Sequence, residues 1–204
     1  MFHGCRNNTR SERAERGFTF VEMLVAVAVI ALLATLSVVA ARGVMDGTKK
    51  VKSLSNMRAL AKAMILYATD NNSLLPPEGS ERPSWAVAAS AGQAGAWFNA
   101  LPALVGRPTV ASFDARRADF YTEQNLLFVP AAKYPADRLA APLFAVSMCS
   151  KLRTAGTPDG TVRLSSIQRP SRTVIFQESG VPGEKQLPGQ SAYNGQTKSF
   201  ASRT

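Results

Sequence analysis

Gly17-Phe18-Thr19-Phe20-Val21-Glu22, followed by the apolar run from Met23 to Ala41, decides the fold. Between Glu22 and Arg42 stand nineteen residues without a charge, rich in Val, Leu and Ala. About twenty such residues wound as a helix cross the hydrocarbon core of a bilayer, so the segment is long enough to span. One carboxylate sits at its edge. An acidic side chain placed centrally in a membrane helix costs about 2.5 to 3.5 kcal/mol, and less near the interface, so Glu22 marks function or a partner. The plainer alternative is that Glu22 snorkels to the headgroups and pairs with nothing.

The stretch Gly17-Phe18-Thr19-Phe20-Val21-Glu22-Met23-Leu24-Val25 resembles the cleavage and methylation signature of type IV prepilins and type II secretion pseudopilins. That signature runs Gly, Phe, Thr, Leu, Ile or Val, Glu, then a long apolar stretch. Phe20 stands where Leu is commoner, a conservative departure. In that family a membrane-embedded aspartyl peptidase cuts after the glycine and methylates the new N-terminal phenylalanine, and the glutamate five residues into the mature chain serves assembly. The resemblance covers residues 11 to 45. It implies a cut after Gly17, an N-methylated Phe18 and Glu22 as the assembly residue, in a structural subunit with no catalytic residue, cofactor or metal. The implied partners are the prepilin peptidase, other pilin or pseudopilin subunits in a homo- or hetero-filament, and an inner-membrane assembly platform. The implied location is the inner membrane, single-pass with a periplasmic head, and then a type IV pilus or type II secretion pseudopilus.

The residue chemistry agrees with those roles. Gly17 has no Cβ, so extended backbone there can come close to a protease's carboxylates. Cleavage leaves a cationic amine on Phe18, and when apolar helices stack, Glu22 of one subunit can meet Phe18 of the next. Opposite unit charges about 4 Å apart are worth about 4 kcal/mol at an effective dielectric near 20, before desolvation is subtracted. Such a pair sets axial register more than it adds stability.

At 204 residues the chain has room for one ordinary domain beside the membrane helix. We expect a leader over 1–17, a transmembrane and assembly half-helix over 18–42, an amphipathic half over 43–72, and a globular head over 73–204 with a flexible C-terminal tail. The expected fold class is α+β and pilin-like, a long N-terminal helix packed on a small antiparallel sheet. The leader holds Arg6, Arg10, Arg13 and Arg16 against Glu12 and Glu15, a net of +2, so its removal takes the formal charge from +10 to +8. Arg42, Lys49, Lys50 and Lys52 follow the span closely and match the leader's four arginines, so charge counting alone does not orient the helix. Cys5 and the only histidine, His3, lie in the leader, leaving Cys149 alone in the mature chain. That chain has no Ser-His or Cys-His nucleophile system and no His-ligated metal site.

From Phe18 to about Tyr67 or Asp70 there is no proline, although Gly43 and Gly47 make a weak point after the span. One helix of fifty residues, about 75 Å long, is the simplest reading. In its second half Val51, Leu54, Met57, Ala61, Met64, Ile65 and Ala68 recur at three- and four-residue steps and form the expected core face. The helix should stop at Asp70-Asn71-Asn72, ahead of Pro76-Pro77. This passage also resembles the end of the long helix in prepilin-like proteins. Asp70, Asn71 and Asn72 offer oxygens to calcium, but a turn is the simpler role, because calcium takes six to eight oxygen ligands.

Farther on, Trp85, Trp97 and Phe98 are expected as buried anchors, with Ala96–Val105 a short helix or packed loop. Gln124–Val129 and Pro142–Lys151 read as strands, and Arg172–Glu178 reads as the best one. Thr157-Pro158-Asp159-Gly160 suggests a hairpin turn joining Ser147-Met148-Cys149 to Thr161-Val162-Arg163-Leu164. Residues 180–204 read as a surface loop or tail. Prepilin-like relatives often continue into a histidine- and Asp-Gly-containing final strand that does not follow Thr204 here; a truncated chain and a head without that strand both fit.

Two other functions compete. A secreted domain with an ordinary signal peptide would be cut near Val38-Val39-Ala40, but its apolar region is normally only about 7 to 15 residues long. A nucleic-acid-binding head would exploit the basic balance, yet Arg107, Arg116, Arg117, Arg138, Arg153, Arg163, Arg169 and Arg172 are dispersed, and a solvated basic surface accounts for them.

Overall fold

A computed structural model describes residues 18–149 and 162–184. The fold is α+β and pilin-like: the long helix α1 (Phe20–Asp70), short helices α2 (Trp85–Ala88) and α3 (Trp97–Leu104), and strands β1 (Val146–Met148) and β2 (Phe176–Glu178). The chain separates into two compact units, Met1–Val44 and Met45–Thr204, and α1 contributes to both.

Helix α1 runs through Gly43 and Gly47 without a break, so the weak point expected there does not interrupt it. Its end is built as the sequence suggests. Asn72 takes a left-handed φ of 53°, and the Ser73 N–H donates back to the Ala68 carbonyl at 2.7 Å, closing a Schellman turn. The Asn71 side chain donates to the Tyr67 carbonyl at 2.8 Å. In the first unit no described side chain is buried, and α1 is long and apolar enough to cross a membrane.

In the second unit α1 buries Ser53, Asn56, Leu60, Ala63, Met64 and Ala68. Met64 and Ala68 are on the expected face, but Val51, Leu54, Ala61 and Ile65 are exposed. The buried face is turned about a quarter of the way round the helix from the expected one, at 3.6 residues per turn. Two interactions hold it so: the Asn56 amide donates to the Phe128 carbonyl at 3.0 Å, and Lys52 pairs with Glu123 at 3.2 Å. A polar residue with a fixed partner thus outranks exposed valine and leucine in choosing the face.

The core is aromatic. Trp85, Trp97 and Phe98 are buried as expected, joined by Phe113, Phe120 and Phe144. Phe120 meets Trp85 edge-on at 5.3 Å between ring centres, and Phe144 lies 5.4 Å from Phe98. Asn99 on α3 is buried; it donates to the carbonyls of Ala88 and Gln93 and accepts from the Ala111 N–H, each at 2.9 Å. It therefore ties α2 and the 3₁₀ segments Ala91–Gln93 and Val110–Tyr121 to α3. Gly79, at φ +71°, is required by space as well as conformation, since an added Cβ would come within 2.7 Å of the Ala96 Cβ.

The sheet is smaller than expected. Strands β1 and β2 pair antiparallel, with Val146 opposite Glu178 and Met148 opposite Phe176. Gln124–Val129 forms turns instead of a strand. There Asn125 donates to the Phe120 carbonyl and accepts from the Leu127 N–H, both at 2.9 Å, and this local bonding replaces a ladder. The hairpin is also corrected. Residues 162–164 turn to the end of α1, where the Leu75 N–H donates to the Val162 carbonyl at 2.8 Å and the Leu164 N–H to the Ser73 carbonyl at 2.6 Å, while β1 takes β2. The proposed turn Thr157–Gly160 lies outside the described residues. Of Arg172–Glu178 only the last three residues are strand, because Pro170 opens a 3₁₀ turn ahead of them. Val181 is buried and the Glu184 carboxylate accepts from the Lys133 N–H at 2.7 Å, so the chain to Glu184 is packed; residues 185–204 lie outside the described residues.

Tyr121 closes the far side of the core. Its hydroxyl is shared between the carbonyls of Arg138 and Ala141, 2.9 Å from the latter, and accepts the Leu143 N–H at 3.2 Å. Burial raises its pKa from 10.0 to about 12, against the lowering effect of the Leu143 bond and nearby Arg138. Tyr121→Phe should lower the melting temperature of the 45–204 unit by roughly 3 to 10 °C, because the buried partners of the hydroxyl lose it. The neutral phenol's contribution is whole below pH 10 and is lost as pH climbs from 10 toward 12. Denaturant melts of both proteins at pH 9 and pH 11 check this: the gap between them should narrow at the higher pH.

Candidate functional site

The conspicuous chemistry lies at the start of α1. Gly17 is outside the described residues. Phe18 is 80% exposed, and Thr19 and Glu22 are exposed with it. Thr19 precedes the first helical residue and Glu22 is the third, the spacing of a capping box. The geometry completes that box. The Thr19 N–H donates to Glu22 Oε2 at 2.8 Å, the Thr19 hydroxyl donates to the same oxygen at 2.9 Å, and the Glu22 N–H reaches Thr19 Oγ1 at 3.3 Å. The Thr19 carbonyl also accepts the Met23 N–H at 3.2 Å, the first bond of the helix ladder.

Sequence reasoning missed this role. Read from the sequence, Glu22 is an assembly charge or a snorkelling one, whereas the structure gives it a third occupation as the cap of its own helix. The signal was Thr19 standing three residues before Glu22 at the head of an apolar run. A carboxylate at a helix N-terminus also faces the positive end of the helix dipole. Both Thr19 bonds fall on Oε2, so Oε1 stands outside the cap.

The other candidate positions are taken up locally. Asn71 and Asn72 serve the end of α1 as described, and among the described residues no cluster of three or more His, Cys, Asp or Glu is placed to hold a metal. Cys149 is a buried free thiol. A shallow depression of about 470 Å³ is lined by residues 114–119 and Leu139. Its charges are paired within themselves, Arg117 with Asp114 at 2.9 Å and Arg116 with Asp119 at 3.9 Å. The guanidiniums of Arg116, Arg117 and Arg138 lie over Phe113, Trp85 and Tyr121, between 5.3 and 5.6 Å from the ring centres. Arg163 donates to the Asn72 carbonyl at 2.5 Å. Several of the dispersed arginines are therefore occupied in holding the head together.

The prokaryotic N-terminal methylation motif family matches residues 13–38. No curated protein and no solved structure matches the chain. The matched residues are the prepilin-type signature, and the family of that motif is one of structural pilin subunits, not enzymes. This signature, ahead of an α+β, pilin-like fold and a helix long and apolar enough to cross a membrane, supports a type IV pilin- or pseudopilin-like precursor.

Proposed function

We propose that the protein is a structural subunit that a prepilin peptidase cuts after Gly17 and methylates on Phe18. It waits in the inner membrane with its head in the periplasm and is then drawn by an assembly platform into a type IV pilus or type II secretion pseudopilus. The observation that carries this reading is the methylation motif at residues 13–38, set on a helix none of whose described apolar side chains in the first unit is buried. Contact with the helices of neighbouring subunits replaces lipid in the filament. There the Phe18 amine of one copy meets Glu22 of the next.

The cap refines that step. Held on Oε2 by Thr19, the carboxylate keeps one fixed direction and presents Oε1 to an incoming amine. An ammonium at Oε1 satisfies the second oxygen without breaking the first turn of α1, so the two uses of Glu22 are compatible. Thr19 then acts as a positioning residue.

Three variants test the reading. Gly17→Val should accumulate as uncut precursor in the membrane, read by mass spectrometry of the N-terminus; normal processing would contradict the peptidase assignment. Glu22→Ala should be cut and inserted yet yield few filaments by shearing and electron microscopy, and abundant filaments would refute the pairing. Thr19→Val should be cut as well, lose about 1 kcal/mol of helix-end stability and show faster hydrogen exchange at residues 20–22. Its filament yield should fall between wild type and Glu22→Ala, because the carboxylate keeps the bond from the backbone N–H of residue 19 but loses the hydroxyl that helps to aim it.

A further inference from the structure

Helix α1 carries a second seam on the side away from the head's core. Val51, Leu54 and Ile65 are 69%, 50% and 59% exposed, and Arg58, Ala61 and Lys62 are exposed beside them. Val51, Leu54, Arg58, Ala61 and Ile65 follow one another by steps of three, four, three and four residues. That is the spacing by which one helix receives another along a coiled-coil stripe. The stripe is about 21 Å long at 1.5 Å per residue.

Charge tells what can lie on it. From Lys50 to Thr69 the helix contains no acid, and its exposed cations are Lys50, Arg58 and Lys62. Lys52, on another side of the helix, is paired with Glu123. Among the described residues none forms an ion pair with Lys50, Arg58 or Lys62. Arg58 occupies the middle of the stripe, so a helix laid there takes the guanidinium out of water, which is unfavourable unless a carboxylate meets it. The same segment of a second copy has none to offer, parallel or antiparallel, and brings cation against cation instead.

We propose that the outer face of α1 from Val51 to Ile65 receives an amphipathic helix of a different chain, apolar along its seam and carrying a carboxylate opposite Arg58. The inference rests on the filament reading for the setting in which the two chains meet, and it selects a hetero-contact over a homo-contact along this stretch.

Carbodiimide coupling joins a lysine amine directly to a carboxylate, and Lys50 and Lys62 flank the seam. The test treats membranes of cells making the full chain with carbodiimide and maps the coupled peptides by mass spectrometry. The expected result is Lys50 or Lys62 joined to an Asp or Glu in a helical segment of another chain. Arg58→Glu should reduce that product at least tenfold, Arg58→Lys should retain it, and the head should melt at the same temperature in all three. Leu54→Ser supplies an apolar variant that should lower the same product. Coupling only to copies of this chain, coupling only within one chain, a hetero-product undiminished by Arg58→Glu, or no product at all would overturn the proposal. The N-terminus read in the same sample separates the two ideas. Chains that keep residues 1–17 fail the filament reading, whereas chains beginning at Phe18 without a hetero-product fail this inference alone.

Discussion

A hydrophobic helical stretch whose described side chains all stand exposed governs the rest of the molecule. From Met23 to Ala41 the chain offers only apolar and hydroxyl side chains, and none of those described is buried. Water is a poor solvent for such a surface, so the segment needs lipid or other helices. The same helix continues into the second unit, where its side chains divide between a core face and an outer face. One continuous element thus carries an exposed apolar stretch and a stretch packed into a folded head.

The head answers with a core built around rings and buried amides more than around a sheet. Two three-residue strands contribute little ladder. Cohesion comes instead from the packed aromatics and from side chains that bond backbone groups outside any ladder: Asn99 joins α2, α3 and the 3₁₀ segments, Asn125 holds its own turn, and Tyr121 reaches the carbonyls of Arg138 and Ala141. Such ties are demanding, because removing one member leaves buried polar groups unpaired. They also let a loop-rich chain hold one arrangement.

The sequence was legible where a local rule had no competitor. The proline-free run, its stop at Asp70 and the burial of Trp85, Trp97 and Phe98 followed from helix propensity, turn chemistry and hydrophobicity. The small sheet and the facing of α1 were harder to read. Apolar residues lie at helical spacing on two sides of α1, and periodicity does not say which side a head will cover; the bond from Asn56 to Phe128 does. Gln124–Val129 has strand-like composition, but Asn125 bonds its neighbours first. At the candidate site, Gly17, Phe18 and Glu22 are visible as a motif. The reciprocal bonds of Thr19 and Glu22 belong to a four-residue capping pattern that overlaps this motif and is masked by it.

The donors that open α1 all lie on the C-terminal side of the Gly17–Phe18 bond. The Thr19 amide nitrogen stays in peptide linkage to Phe18 whether or not the preceding seventeen residues are attached, and the Thr19 hydroxyl is equally untouched. Hydrolysis of that bond therefore alters the charge next to the helix while preserving the groups that begin it. On the proposed function, maturation is then a change of electrical state on a prefabricated end, with the bonds that open α1 kept as they are.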